Sequence, residues 1–122
     1  TIFSNVSNDM RIAQEEIFGP VTCAITFKDE DEVIRLANEC KYGLAGGVWT
    51  QNIGAAHRIA RGMQTGTVWI NRYYNLRSGM PIGGYKQSGF GREFCFDVLN
   101  HYTITKSVIV NLQDGPMGMY AQ

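Results

Sequence analysis

Two carboxylates in the sequence stand where a break in regular structure would present them to a ligand. Glu16 lies just before Phe18-Gly19-Pro20, a break that should end a helical turn and place the side chain at the entrance of a strand. Glu93 follows a glycine-rich segment and begins a helix. Each also has an ordinary explanation: Glu16 as a solvated surface acid beside Glu15, and Glu93 as an acid that interacts favourably with a helix dipole. The residues alone leave both explanations open.

The glycine-rich segment, residues 74–92, first suggests phosphate binding. Glycine supplies 14 of the 122 residues, well above its usual share of about 7%. A P-loop requires Gly-Lys-Ser/Thr at its end, whereas Gly89 is followed by Phe90 and Gly91. A dinucleotide-binding fingerprint requires a third glycine where Phe94 stands. The favoured interpretation is therefore a loop whose backbone passes close to another surface.

The cysteines and histidines predict neither a nucleophile nor a metal site. Cys23, Cys40 and Cys95 are far apart and form no C-x-x-C pair, and His57 and His101 show no ligand spacing with them. Neither histidine has an acid and a nucleophile nearby in the sequence, as a catalytic triad would need. Each cysteine is most simply a small core residue. Free thiols favour a reducing compartment, which indicates a cytoplasmic protein.

The composition excludes several classes of function. Eleven acidic residues balance eleven basic ones, so the chain has no electrostatic footprint for nucleic acid or an anionic membrane surface. No apolar run approaches the roughly 20 residues of a membrane span. The length suits one domain with a real core. The first residue is Thr and no signal-peptide pattern follows, so either the start has been removed or the chain is a piece of a longer one.

Apolar residues at helical spacing predict three helices and one shorter helical turn. Asp29 and Glu32 form a capping pair at the start of the first helix, and Asn52 begins the second. The third contains Cys95 and Tyr102. The predicted segments are residues 29–43, 52–66 and 95–102, with the short turn at 10–15.

Four strand-like runs, rich in Val, Ile, Thr, Trp and Phe, lie between the helices. The runs are residues 21–28, 44–50, 67–71 and 103–112. Strands that alternate with helices at this spacing are typical of βαβ units. The fold class is therefore α/β, with a mainly parallel sheet and flanking helices.

A series of motifs, in order, resembles the C-terminal part of the aldehyde dehydrogenase superfamily. The motifs are residues 14–21 (QEEIFGPV), 42–49 (YGLAGGVW), 66–71 (GTVWIN) and 81–93 (PIGGYKQSGFGRE), and residues 102–108 (YTITKSV) resemble the family's closing strand. The resemblance covers about residues 1–113. The stretch GGYKQSGFGRE favours the betaine aldehyde or aminoaldehyde branch.

The resemblance implies oxidation of an aldehyde to a carboxylic acid by NAD or NADP. In that chemistry a cysteine thiolate attacks the aldehyde, hydride leaves to the nicotinamide, and a general base activates water to hydrolyse the thioester. In this family the nucleophile, the base and the cofactor domain precede the segment that residues 14–21 resemble. The chain alone is therefore expected to be inactive and to hold no bound cofactor.

The resemblance also assigns roles to three residues near the reacting groups. Glu16 would hold the hydroxyls of the nicotinamide-side ribose, and Phe18 would pack against the nicotinamide ring. Glu93 would lie in a proton path behind the general base.

The substrate entrance is expected along residues 72–82. Leu76 and Ile82 stand where several family members carry aromatic residues, so an aromatic pocket is not assured there. Tyr73 and Tyr74 could supply aromatic rings instead.

Three further expectations concern a cation, the assembly and an alternative function. The backbone carbonyls of Lys86 and Gly89 resemble a monovalent-cation site, which would bind K⁺.

Residues 1–102 would be the C-terminal part of the catalytic domain. Residues 103–113 would be a strand that joins a neighbouring subunit in a homo-oligomer, and residues 114–122 would be a tail. The alternative is a stand-alone α/β assembly module without catalysis.

Overall fold

A computed structural model describes residues 1–115 of the chain. Short strands alternate with helices along the sequence. The strands are β1 Ile2–Phe3, β2 Thr22–Cys23, β3 Tyr42–Gly43, β4 Ala45–Val48, β5 Thr67–Ile70 and β6 Tyr85–Lys86. The α-helices are α1 Arg11–Gln14, α2 Glu30–Asn38, α3 Ile53–Gly62 and α4 Leu99–Tyr102, and a 3₁₀ turn, Phe96–Val98, precedes α4.

The strands form three two-stranded sheets, two of them parallel. β4 and β5 pair in parallel from Ala45 with Thr67 to Val48 with Ile70, and α3 connects them, so this part of the chain is a βαβ unit. β1 and β2 are also parallel, whereas β3 and β6 are antiparallel. The predicted α/β class with mainly parallel pairing is confirmed.

Both long helices begin where their capping residues predict. The Asp29 carboxylate accepts a hydrogen bond from the Glu32 N–H at 2.8 Å, and the Glu32 carboxylate accepts one from the Lys28 N–H at 2.7 Å. The Asn52 side chain accepts from the Ala55 N–H at 3.0 Å at the start of α3. These contacts satisfy amide donors that a helix leaves unpaired in its first turn.

The two long helices pack on each other and are joined by polar contacts at both ends. Arg58 donates two hydrogen bonds of 2.8 Å to the Glu30 carboxylate. At the other end the Asn38 amide donates to the Gly62 carbonyl at 2.8 Å. A Cβ on Gly62 would lie 2.8 Å from Ile34, so only glycine allows the helices to approach this closely. The two helices are thereby joined at both ends.

Several predicted boundaries were wrong. α2 ends at Asn38, before Cys40, and α3 ends at Gly62. The strand predicted at residues 21–28 is only Thr22–Cys23. The helix predicted at residues 95–102 divides into the 3₁₀ turn and the four-residue α4. The short turn at residues 10–15 is confirmed as α1.

Residues 103–112, predicted as a strand, pair with no strand among residues 1–115. A strand requires a neighbour for its amide and carbonyl groups. The segment instead lies in the open, with Ile104 93% and Ile109 95% exposed. Of the predicted tail, residues 116–122 lie outside the described part of the chain.

The buried apolar core of residues 1–115 is small. It consists of Val48, Ala55 and Ala56, all in the βαβ unit. Large apolar side chains elsewhere are exposed, including Phe18 at 98% and Phe90 at 97%. Within the described residues, no helix has the length and apolar character needed to cross a membrane.

Candidate functional site

The glycine-rich segment forms a loop whose ends are held together by its own backbone. The Gly79 N–H donates to the Phe94 carbonyl at 2.7 Å. A Cβ on Gly83 would collide with the Gly91 carbonyl, and one on Gly66 would collide with the Gly83 carbonyl. The expected close approach of backbone to backbone is therefore confirmed, and β5 is one of the surfaces that the loop approaches.

Arg92 stabilises the interior of this loop, a role that sequence reasoning missed. Its guanidinium donates to the Gly84 carbonyl at 3.0 Å and to the Gly91 carbonyl at 2.6 Å. The same group lies 4.5 Å from the centre of the Tyr85 ring, within the range of a cation–π contact. The signal available in the sequence was an arginine among several glycines. Backbone carbonyls in such a loop lie outside regular strands and helices, so they need another hydrogen-bond donor.

Glu16 lies on an open cleft of about 510 Å³ that the sequence did not predict. Gln87 and Ser88 of the glycine-rich loop line the same cleft as Glu16, although more than 70 positions of sequence separate them. The remaining lining residues are Ala13, Gln14, Glu15, Cys40, Tyr42 and Leu44. Phe18 does not line this cleft and projects into solvent.

The neighbouring acids Glu15 and Glu16 differ in their partners. Arg11 donates a hydrogen bond of 2.8 Å to the Glu15 carboxylate, and this contact lowers the pKa of Glu15 below its ordinary value. Within residues 1–115, no cationic side chain forms an ion pair with Glu16. Among the described residues, the Glu16 carboxylate is therefore not engaged in an ion pair and can accept hydrogen bonds from a ligand with both oxygens, whereas one oxygen of Glu15 is already bonded to Arg11.

Glu93 lines a second cavity, of about 410 Å³, together with His101 and Tyr102 from α4. Arg92 and Phe90 complete much of its wall. The His101 ring lies against Gly91, since a Cβ there would be 3.4 Å from its Nε2 atom. The structure thus groups a carboxylate, an imidazole and a phenol, which can all exchange protons with water.

Leu76 and Ile82 face a third cavity, of about 200 Å³, which Trp69 also lines. Tyr73 lies edge-on to Trp69 with 5.2 Å between ring centres, whereas Tyr74 is exposed and 6.4 Å from Tyr73. Of the two tyrosines offered as replacements, neither lines the cavity itself. The aromatic ring in this wall comes from Trp69 on β5, which sequence reasoning did not single out as a pocket residue.

The carbonyls of Lys86 and Gly89 belong to one tight turn. Both residues have a positive φ, 54° at Lys86 and 100° at Gly89, and the Gly89 N–H donates to the Lys86 carbonyl at 3.4 Å. Carbonyl oxygens suit K⁺, but two of them make only part of a coordination shell. Across residues 1–115, no group of three or more His, Cys, Asp or Glu side chains could hold a metal ion.

Among the described residues, no cysteine thiol is hydrogen-bonded to a basic side chain. All are free and half-buried, and the Cys23 thiol donates to the Ile12 carbonyl at 3.6 Å. Cys40 lines the cleft of Glu16, and Cys95 precedes the 3₁₀ turn. A nucleophilic cysteine requires a neighbouring base or a lowered pKa.

Comparison with known proteins gives a consistent family relationship. Residues 1–108 match the sequence profile described as "Aldehyde dehydrogenase family". The chain is 51% identical to betaine aldehyde dehydrogenase of Agrobacterium fabrum, over 91% of this chain and 22% of that protein. It is 52% identical to the mitochondrial aldehyde dehydrogenase family 2 member B4 of Arabidopsis thaliana, over 92% of this chain and 21% of that protein.

A solved structure gives the same result in three dimensions. The crystal structure of betaine aldehyde dehydrogenase from Staphylococcus aureus, in complex with NAD⁺, superposes with a TM-score of 0.87 and 41% identity. The match covers 99% of this chain and 24% of that one. The chain thus spans less than a quarter of the length of these known proteins.

Proposed function

The chain belongs to the aldehyde dehydrogenase family, and from this premise we propose that it is the C-terminal part of an NAD-dependent enzyme that oxidises an aldehyde to a carboxylic acid. The observation that supports this most strongly is the likeness to an NAD⁺-bound betaine aldehyde dehydrogenase over 99% of the chain. The matched region makes up 24% of the relative's length. The remaining three quarters would supply the nucleophile, its general base and the cofactor domain.

The cysteine that carries the thioester lies outside residues 1–122 in this proposal. Cys23, Cys40 and Cys95 are half-buried, and within residues 1–115 no basic side chain is hydrogen-bonded to their thiols. The expected consequence is that the chain alone neither oxidises aldehydes nor binds NAD tightly.

Glu16 and Phe18 would form the cofactor side of the site. The Glu16 carboxylate, without an ion-pair partner among the described residues, would accept hydrogen bonds from two ribose hydroxyls in its open cleft. Phe18, 98% exposed, offers a flat apolar face against which a nicotinamide ring could be fixed. When bound, NAD⁺ accepts the hydride of the aldehyde. Titration of the full-length protein with NAD⁺ and with NADP⁺ would show which of the two cofactors it binds more tightly.

Glu93 and the cavity around it would act in the hydrolytic half of the cycle. The carboxylate can pass a proton from the general base towards solvent, and His101 and Tyr102 line the same cavity. The aldehyde would lie against the wall that Leu76 and Ile82 form with Trp69. Tyr73 would fix the Trp69 ring from behind, and Tyr74 would lie at the entrance.

The carbonyls of Lys86 and Gly89 would contribute two ligands to a K⁺ ion. Their positive φ values place both carbonyls in one tight turn, and carbonyl oxygens are ligands that suit K⁺. The other oxygens would come from the remainder of the protein.

The extended segment 103–113 would complete a homo-oligomer by adding to a sheet of a neighbouring subunit. Its support is the run of exposed Ile104, Val108 and Val110 beside unpaired backbone groups. Free thiols favour a cytoplasmic location, and expression of a tagged protein in its own host would test this.

Expression of the complete coding sequence tests the function. The full-length protein should form NADH when given betaine aldehyde, and a panel of aliphatic, aromatic and amino aldehydes then ranks the substrates. If the full-length protein oxidises none of the aldehydes in the panel with NAD⁺, the proposal is overturned. A start codon close to Thr1, with no upstream cysteine or cofactor domain in frame, would favour the alternative of a stand-alone assembly module.

A further inference from the structure

We propose that Lys86 is a positioning residue whose ammonium group holds residues 86–89 in the wall of the Glu16 cleft. The inference rests on the proposed function, because the position of this wall matters for activity only if the cleft receives the cofactor. It concerns the side chain of Lys86 and is separate from any ligand role of its carbonyl.

The ammonium group binds the end of a helix rather than an acid. Lys86 Nζ donates to the Asn38 carbonyl at 2.6 Å and to the Cys40 carbonyl at 3.0 Å. Asn38 is the last residue of α2, where carbonyls have no partner within the helix. A positive charge is favourable at this end of a helix. The two contacts therefore satisfy acceptors that the helix itself leaves free.

Asn38, the residue to which Lys86 binds, is itself fixed to the other long helix. Its amide group donates to the Gly62 carbonyl, and its side-chain oxygen accepts from the Gln64 N–H, both at 2.8 Å. Lys86 is thus connected through one residue to the ends of both α2 and α3. The loop is joined to both long helices in this way.

The turn that Lys86 begins and the segment that follows α2 both supply lining residues to the cleft. The Gln87 N–H donates to the Lys41 carbonyl at 3.1 Å, and the Ser88 hydroxyl accepts from the Gly43 N–H at 3.0 Å. Gln87, Ser88 and Cys40 all line the cleft with Glu16. The ammonium contact at Cys40 therefore joins the turn to a second segment that lines the same cleft.

The backbone conformation at Lys86 indicates that the contacts of its side chain are stabilising. Its φ of 54° lies in the left-handed region, which glycine adopts freely and lysine adopts at a cost. The segment contains glycine at positions 79, 83, 84, 89 and 91. A lysine at this position makes sense if the contacts of its ammonium group offset the backbone cost.

Four variants of the full-length protein test the inference. Lys86→Met removes the charge, Lys86→Gly removes the charge and also relieves the backbone, and Lys86→Arg keeps a cation. Lys28→Met is the control, because it removes an exposed lysine at the opposite end of α2. The measurements are hydrogen exchange of peptides that cover residues 38–43 and 85–89, the KM for NAD⁺ and for the aldehyde, and kcat.

Lys86→Met and Lys86→Gly should both accelerate exchange in these two segments and raise the KM for NAD⁺ about fivefold, as expected when a charge-assisted contact near a binding site is lost. The KM for the aldehyde and kcat should change less than the KM for NAD⁺. Lys86→Arg should keep a KM for NAD⁺ close to that of the unaltered protein, because it keeps a cation. Lys28→Met should match the unaltered protein in hydrogen exchange and in the KM for NAD⁺.

Two results would overturn the inference. Lys86→Gly with unaltered exchange and NAD⁺ affinity would show that only the backbone conformation matters. Accelerated exchange throughout the protein, with equal losses in kcat and both KM values, would show a general structural role. If the unaltered full-length protein has no activity, the proposed function fails, while the exchange experiment still decides whether Lys86 fixes the cleft wall.

Discussion

Ile82 and Glu93 lie opposite each other and exchange two backbone hydrogen bonds. The Glu93 N–H donates to the Ile82 carbonyl at 2.7 Å, and the Ile82 N–H donates to the Glu93 carbonyl at 3.1 Å. The pair closes the glycine-rich loop at its base. Because the backbone holds both residues, a change in the Glu93 side chain should leave the pocket wall at Ile82 in place.

Replacing Glu93 by glutamine in the full-length enzyme should slow thioester hydrolysis about tenfold or more, because a group that exchanges protons is lost while its shape is kept. The first turnover should remain fast, so rapid mixing should record a burst of NADH followed by a slow steady state. Asp97→Asn, an exposed acid in the next turn, serves as control. Steady-state turnover of Glu93→Gln equal to that of the control would contradict the role of Glu93 in a proton path.

The adjacent acids Glu15 and Glu16 allow a matched pair of substitutions. Glu16→Gln should weaken NAD⁺ binding about tenfold, the effect of losing a charged hydrogen-bond acceptor, and should slow hydride transfer with little loss of stability. Glu15→Gln breaks the exposed contact with Arg11 and should change the kinetics much less than Glu16→Gln, because one Glu15 oxygen is already bonded to Arg11. Kinetics and cofactor titration check both, and equal behaviour of the two variants would contradict the role of Glu16.

Asn52→Ala should destabilise α3, because it removes the acceptor of the Ala55 N–H at the helix start. The expected cost is about 1 kcal/mol. Asn52→Asp keeps an acceptor and should retain most of the stability. Thermal unfolding of the full-length variants measures the difference, and an alanine variant as stable as the aspartate variant would be inconsistent with capping.

The ion pair between Arg58 and Glu30 should contribute a pH-dependent increment of stability. The hydrogen bond from Arg58 lowers the pKa of Glu30 below 4.5, its ordinary value. The increment is therefore present above pH 4.5 and is lost as the pH falls through the lowered value. In Arg58→Gln, the free energy of unfolding should fall less steeply with decreasing pH than in the unaltered protein. Salt should reduce this difference between the two proteins, because the ion pair is exposed. Superimposable acid-unfolding curves for the two proteins would contradict this.

The chain of 122 residues, prepared alone, should self-associate. Phe90, Phe96 and Tyr102 are each more than 80% exposed, and apolar exposure on this scale is typical of surfaces that are covered in the assembled protein. Light scattering at high micromolar concentration should record masses above that of a monomer. A strictly monomeric mass would contradict the expectation, and NAD-dependent turnover by the isolated chain would contradict its predicted inactivity.

Sequence reasoning succeeded where the relevant interaction is local. Asp29 and Asn52 were identified as helix starts because a cap binds an amide only three residues away. The helix ends were less accurate, since α2 stops at Asn38, where Lys86 and Gln64 supply partners from distant positions. Residues 103–112 have the composition of a strand, yet composition cannot supply the neighbouring strand that pairing requires.

The sequence by itself determined the family, the α/β class and the carboxylates worth testing, because motifs, caps and apolar periodicity act over a few residues. Only the tertiary structure placed Gln87 and Ser88 in one cleft with Glu16, Trp69 in one cavity with Ile82, and the Lys86 ammonium on the end of α2. These contacts join residues that are far apart along the chain. Their geometry follows from how the βαβ unit and its loops pack together, which no short stretch of sequence specifies.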